Sequence, residues 1–258
     1  MQKTFIDHLN RKILVNFPPK RIISLVPSIS ELIYDLDLDK ELVGITRYCI
    51  HPGSLLKEKT IVGGTENVDI KLINSLKPDL ILANKEENSK NEIEKLLNTP
   101  IFVSNIRTFD EALSFIIDIG ELTDRQKNAE NIVSQILDKF NNFKAIQPSK
   151  SVAYLVWKEP FITINRNTFI NDMLEKAGFS NVFSHKPESY PKISLEEIAK
   201  AKPEYIFLSS EPYPFTNKHI IEYEKMFPNS KILKVDGEIF AWYGSHLIKA
   251  TDYFKQLL

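Results

Sequence analysis

Between Thr123 and Lys144 the apolar residues Ala129, Ile132, Val133, Ile136, Phe140 and Phe143 recur at steps of three and four, with Lys, Asn, Gln and Asp between them. That spacing predicts one amphipathic helix with Asp124 as its N-cap. About twenty helical residues span roughly 30 Å, enough to run from one lobe to another. The pattern on either side repeats. Ile70-Lys71-Leu72-Ile73-Asn74-Ser75-Leu76-Lys77-Pro78-Asp79-Leu80-Ile81-Leu82 returns in register as Leu195-Glu196-Glu197-Ile198-Ala199-Lys200-Ala201-Lys202-Pro203-Glu204-Tyr205-Ile206-Phe207. Each copy reads as a short helix that stops before a proline, then an acid, then the unbroken apolar run of a buried parallel strand. Even the next acid keeps register, Glu86 against Glu211.

The rest of the chain fits between these units. Residues 4 to 16 alternate around the polar tip Asp7-His8-Leu9-Asn10 and predict a β-hairpin. Arg21 to Pro27 reads as a central strand, and Ser28-Ile29-Ser30-Glu31 as a capping box before a helix over Leu32 to Leu36. A strand opening onto a helix N-terminus offers backbone N–H groups to an anion or a carboxylate. Val43 to Thr46, Ile61 to Glu66 and Pro100 to Asn105 predict further strands, the last closing the first sheet, and Phe109 to Leu122 a helix. Beyond a linker at Gln147 to Lys150, strands are expected at Ser151 to Trp157 and Phe161 to Ile164. A helix beginning at Asn167 or Thr168 should end at Gly178, and a strand at Lys231 to Val235 precedes a last helix. The expected fold is α/β: two lobes, each a central mostly parallel sheet flanked by helices, joined by a single long connector helix. The boundaries are 1–122, 123–146 and 147–258.

Candidate chemistry gathers just past the strand ends, where α/β sheets bind ligands. Arg47-Tyr48-Cys49-Ile50-His51-Pro52 offers a forked donor, a stacking face and an imidazole that is also a weak metal-ligand candidate. Glu86 follows the first repeat and Glu211 the second. Trp157 ends a strand, and Asp236-Gly237-Glu238-Ile239-Phe240-Ala241-Trp242-Tyr243-Gly244-Ser245 sets two acids among three aromatics, a composition suited to a flat conjugated ligand. Tyr48, His51, Trp157 and Trp242 are all expected to reach a preformed cleft between the lobes. The paired Gly63-Gly64 belongs to no phosphate-binding motif, since neither GxxxxGK[ST] nor GxGxxG occurs in the chain.

Composition narrows the classes. With 33 basic and 34 acidic residues in 258, nothing favours nucleic acid or an anionic membrane. The single Cys49 allows no internal disulfide and no CxxC motif. No apolar run approaches a membrane span. The start, MQKTFIDHLNRKILVNF, lacks the apolar core of an export signal, so the chain is expected to work in the cytoplasm if Met1 is the native start, and in the periplasm or on a lipid anchor if a signal was removed.

Lys20-Arg21-Ile22-Ile23-Ser24-Leu25-Val26-Pro27-Ser28, the Val62-Gly63-Gly64 turn, the Leu76 to Ile81 segment and the lone connector helix together resemble the class III periplasmic-binding-protein family. The resemblance runs along nearly the whole chain and implies a monomeric ligand-binding protein of the ABC-transporter substrate-binding type, holding a cobalamin-like, haem or ferric-chelate ligand. Arg47, Tyr48, His51, Glu86, Trp157, Glu211, Asp236, Glu238, Trp242 and Tyr243 are its candidate contacts. The family's usual glutamate at the tip of each lobe is matched by Glu196, whereas the first lobe has Lys71 there. One docking point for a membrane importer is therefore reversed in charge, which points to an atypical protein partner. The chain also resembles a non-secreted branch of the family that shares its RYCIHP, GGT, EEN and WYGS segments. Two alternatives are a cytoplasmic enzyme handling a metal or tetrapyrrole, for which no nucleophile elbow, HExxH or triad pattern is present, and a partner protein that reports ligand occupancy.

Overall fold

A strand of consecutive branched apolar residues is stable only where both faces are covered, and the central strands here have that composition. The computed structural model describes residues 1–96, 99–145 and 147–257. Leu97 and Asn98 of the expected first lobe, Ile146 at the end of the expected connector, and Leu258 lie outside the described residues. The chain opens with the expected hairpin, β1 (Gln2–Ile6) paired antiparallel with β2 (Lys12–Asn16). Buried Asp7 closes its turn, accepting the backbone N–H groups of Leu9 and Arg11 at 3.0 and 2.9 Å and Arg11 Nε–H at 2.8 Å.

Then follow β3 (Ile22–Ser24), α1 (Pro27–Asp35), β4 (Leu42–Ile45), α2 (Leu55–Glu58), β5 (Thr60–Ile61), α3 (Ile70–Ser75), β6 (Leu80–Asn84), α4 (Lys90–Ile93), β7 (Ile101–Ser104), α5 (Phe109–Thr123) and α6 (Gln126–Asn142). The five strands β3 to β7 form a parallel sheet in the order β5-β4-β3-β6-β7. One core packs Ile23, Leu25, Ile81, Ala83 and Val103 against Ile73 of α3 and Ile93 of α4. The remaining elements are β8 (Lys150–Leu155), β9 (Phe161–Ile162), α7 (Phe169–Ala177), β10 (Phe179–Asn181), β11 (Lys192–Ile193), α8 (Leu195–Ala201), β12 (Tyr205–Ser209), α9 (Asn217–Met226), β13 (Lys231–Val235), α10 (Gly237–Ala241), a 3-10 helix (Ser245–Lys249) and α11 (Ala250–Leu257). A second parallel sheet has the order β10-β8-β12-β13, and β9 pairs antiparallel with β11. The α/β class with helix-flanked parallel sheets is thus the one expected.

The internal repeat has a physical counterpart. Lys77 and Lys202, each before its proline, leave their helices in the left-handed conformation at φ 48° and 47°. The acid two residues on then anchors the neighbouring strand in each sheet. Asp79 accepts the N–H groups of Lys20 and Arg21, both at 2.8 Å, ahead of β3. Glu204 accepts the Ser151 N–H at 2.9 Å and pairs with Lys150 Nζ at 2.9 Å, at the start of β8.

Two compact units emerge. The first comprises Met1–Ile106, Asp110–Asp138 and Tyr243–Ile248, and the second Arg107–Phe109, Lys139–Trp242 and the stretch from Lys249 onward. The amphipathic helix is continuous over Gln126–Asn142, with Ala129, Ile132 and Ile136 buried. Its last turns carry Phe140, whose ring lies 4.4 Å from Phe109 and 6.4 Å from Phe254 in the second unit. Three local expectations need correction. Asp124 does not cap α6, because it sits left-handed at φ 63° in the turn from α5. Ser28 and Glu31 do not form a capping box, because α1 begins at Pro27, with Val26 as N-cap and no side-chain cap. That N-terminus is buried, and proline at the first position removes an N–H, so it is no open anion site. Tyr243–Ile248 belongs to the first unit rather than with the residues before it.

Candidate functional site

In the first unit, the parallel strands deliver three loops to one sheet edge: Thr46–His51 after β4, Val62–Glu66 after β5 and Lys85–Asn88 after β6. One residue that sequence reasoning missed ties this edge together. Buried Asn88 donates from Nδ2 to the carbonyls of Leu25 and Thr65 at 3.1 and 2.8 Å, while its Oδ1 accepts the Asn84 N–H at 2.8 Å. Asn84 Oδ1 in turn accepts the N–H groups of Glu86 and Glu87 at 2.7 and 3.1 Å, and its Nδ2 donates to Ser104 Oγ at 3.1 Å. An asparagine closing an apolar run, with a second four residues on, was the signal available for this pair. Gly63 is required where it stands, since at φ 120° an added Cβ would lie 2.5 Å from the Asn67 carbonyl oxygen. Its own carbonyl accepts the Arg47 N–H at 2.9 Å.

On this frame Arg47 is exposed, and Tyr48, 54% exposed, lays its ring against Gly64, where a Cβ would be 3.4 Å from Cε2. Glu86 is exposed. Cys49 points inward, its sulfur 3.0 Å from Ser30 Oγ and 3.2 Å from Thr46 Oγ1, and burial pushes its thiol up, away from a reactive thiolate. His51 is half-buried, its ring centroid 5.8 Å from that of His246. His246 is itself buried, with Nδ1 2.7 Å from Glu31 Oε2. Among the described residues no group of three His, Cys, Asp or Glu is placed to hold a metal ion. Tyr243, expected as a ligand-facing aromatic, is 4% exposed, with its hydroxyl 3.3 Å from Ser104 Oγ and its ring edge-on to Phe115 at 5.4 Å. Burial holds its phenol well above the ordinary range, so it packs as a neutral group.

The second unit has its own edge, where β8, β12 and β13 end. Trp157, 38% exposed, meets Tyr213 edge-on at 5.5 Å, and Tyr213 lies 4.7 Å from Phe215. Tyr213 escaped the sequence reading because prolines flank it and mask any period. Glu211 is half-buried, its Oε1 accepting Trp242 Nε1–H at 3.1 Å. Trp242 is 7% exposed, so its indole serves this contact rather than an open surface. Asp236 caps α10, accepting the Glu238 N–H at 3.1 Å, while its own N–H donates to the Tyr253 hydroxyl at 2.7 Å. Glu238 is half-buried in the first turn. The in-register pair Glu86 and Glu211 therefore differ in burial, the first exposed and the second half-buried. Lys71 and Glu196, the residues of the reversed charge pair, are both exposed in the first turns of α3 and α8. No helix among the described residues is long and apolar enough to cross a membrane.

Comparison with known proteins places this arrangement. The chain is 29% identical over 210 residues to the vitamin B12-binding protein of Vibrio cholerae serotype O1, covering 79% of this chain and 75% of that protein. It is 31% identical over 215 residues to the ABC transporter substrate-binding lipoprotein YvrC of Bacillus subtilis, covering 79% and 68%. The crystal structure of the periplasmic vitamin B12 binding protein BtuF of Vibrio cholerae superposes with a TM-score of 0.78 at 24% identity, covering 93% and 98% of the two chains. That of a possible iron-binding, periplasmic solute-binding protein from Staphylococcus epidermidis superposes with a TM-score of 0.76 at 27% identity, covering 93% and 97%. The model of the periplasmic binding protein family matches residues 22–227, and the chain belongs to that family.

Proposed function

We propose that this protein is a substrate-binding protein of the ABC-transporter type whose ligand is cobalamin-like, a haem or a ferric chelate, and that it does no chemistry on it. Its relatives are named for binding vitamin B12 or for substrate binding. The observation that carries the reading is an exposed aromatic on each sheet's carboxyl edge, Tyr48 at 54% and Trp157 at 38% exposure, since large aromatics left in water suit a flat conjugated ligand. Arg47, Glu86 and His51 supply polar contacts from the first unit. In the second unit Glu211, Asp236, Glu238 and Trp242 shape the loops, and in the first unit Tyr243 does the same. Tryptophan emission during titration with cyanocobalamin, haemin and a ferric hydroxamate tests this directly. One of the three should quench it saturably, and Trp157→Phe should weaken that binding. Saturable quenching by none of them counts against the reading.

The partner follows from Lys71. With Lys71 where Glu196 stands in the other copy of the repeat, one of two acidic docking points is reversed, and a close charge pair becomes repulsive. We infer weak docking on a two-point importer and, on the same ground, work in the cytoplasm. Cell fractionation probes the second claim. Tight importer binding that Lys71→Glu leaves unchanged would sink the first.

A further inference from the structure

We propose that the outer face of α9, in the second unit, is a docking groove for an acidic amphipathic helix of a partner protein. α9 has two faces. Ile220, Tyr223 and, at the C-cap, Phe227 recur at steps of three and four and pack on the core that holds Phe215 and Ile232. Lys218, Ile221, Glu222, Lys225 and Met226 recur at the same steps on the opposite side, the face that a helix covering a core gives to polar residues. Ile221 is nevertheless 55% exposed there and Met226 47%. The core does not use them. With Lys158 these five residues line a groove of about 590 Å³.

The charge of the groove has one sign. Lys158 donates from Nζ to both carboxylate oxygens of Glu222, at 3.2 and 3.0 Å, so the one acid lining the groove is already neutralised. Lys218 and Lys225 are exposed and form no ion pair among the described residues. They stand two helical turns, roughly 10.5 Å, apart, with Ile221 between them and Met226 beside the second.

That alternation of charge and apolar surface selects the partner. A helix laid in the groove meets both ammonium groups with carboxylates two turns apart, and a leucine or phenylalanine between those acids covers Ile221 and Met226. A purely acidic chain leaves the apolar pair in water, and an apolar helix leaves the lysines unpaired. A basic surface, the kind that Glu196 attracts, is repelled here.

The test is selection from a displayed library of peptides of about twelve residues, some three helical turns, on the full chain. Binders should be enriched in acids two turns apart with a large apolar residue between them. The tightest of these, made synthetically, should bind saturably and more weakly as salt is raised. Joint Lys218→Glu and Lys225→Glu reversal, and separately Ile221→Ser, should each weaken that binding about ten-fold. The unfolding midpoint should stay unchanged, since all three side chains are exposed, and Lys40→Glu, at an exposed lysine of the first unit, should leave binding as it was. Enrichment of no binder, enrichment of basic or uncharged sequences, or binding indifferent to the substitutions overturns the proposal. So does a groove with another occupant, read as self-association in sedimentation or retention on phosphatidylserine vesicles that the double charge reversal abolishes.

Discussion

Gly237 opens α10 at the edge of the second sheet, and the space where its side chain would be is already filled. A Cβ there would lie 2.5 Å from Ser209 Oγ, 2.7 Å from Glu211 Cγ and 3.2 Å from the Glu211 nitrogen, so Gly237→Ala must displace something. Neither side chain yields freely. Ser209 Oγ donates to the Glu211 carbonyl at 2.5 Å and accepts from the buried Tyr154 hydroxyl at 3.2 Å, so turning it away strands that hydroxyl. Moving Glu211 breaks its bond from Trp242 Nε1, a hydrogen bond to a charged acceptor. Either route costs about 1.5–3 kcal/mol in lost hydrogen bonding, and overpacking a tight site about 1–3 kcal/mol. A net loss of about 2–4 kcal/mol is expected, on the order of 10 °C in Tm for a protein of this size. Both tryptophans, Trp157 and Trp242, belong to the second unit, so their fluorescence during urea unfolding follows that unit alone. In a Trp157→Phe background the emission of Trp242 should also change as its partner moves. A Gly237→Ala protein with unaltered midpoint and emission would refute this account of the Glu211–Trp242 loop.

Two further outcomes follow. Ile136→Asp places an unpaired carboxylate on the fully buried stripe of α6 and should cost several kcal/mol, read as a lowered midpoint by circular dichroism, while an unchanged midpoint would mean the stripe is not core. Glu204 is held below the ordinary carboxylate range, first by the Ser151 backbone N–H and then by Lys150. Its contribution is therefore complete above the unfolded value near pH 4.3 and disappears as pH falls through the lower folded value. Thermal midpoints measured downward from about pH 6 should drop in that acid window, and Glu204→Gln should flatten part of the drop.

What could be read from the sequence was what repeats or carries a period. The copy of Ile70 to Leu82 at Leu195 to Phe207 announced two sheets, and the matched roles of Asp79 and Glu204 explain why the register persisted: each acid fastens the neighbouring strand by its backbone. The stripe Ala129, Ile132, Ile136 and Phe140 gave α6 to within a few residues of its ends. Ser28-x-x-Glu31 misled because burial of Glu31 against His246, more than two hundred residues away, outweighed a local capping signal. The same distance hid the return of Tyr243–Ile248 to the first unit, since nothing in Trp242-Tyr243-Gly244 marks a change of neighbours. Aromatic density suggested a ligand surface there, yet Trp242 and Tyr243 are spent on Glu211 and Ser104. Asn84, Asn88 and Ser104 passed unnoticed because a single polar residue at a strand end looks the same whether it faces water or knits a buried network.

The claim that this protein holds a coloured metal chelate is tested most directly by the absorbance spectrum of freshly purified protein after incubation with cyanocobalamin, haemin and a ferric hydroxamate, each followed by gel filtration. The account predicts that one of the three co-elutes with the protein at near-equal amounts with a shifted visible band, and that Trp157→Phe or Tyr48→Ala lowers the amount retained. Protein that elutes colourless after all three incubations contradicts it.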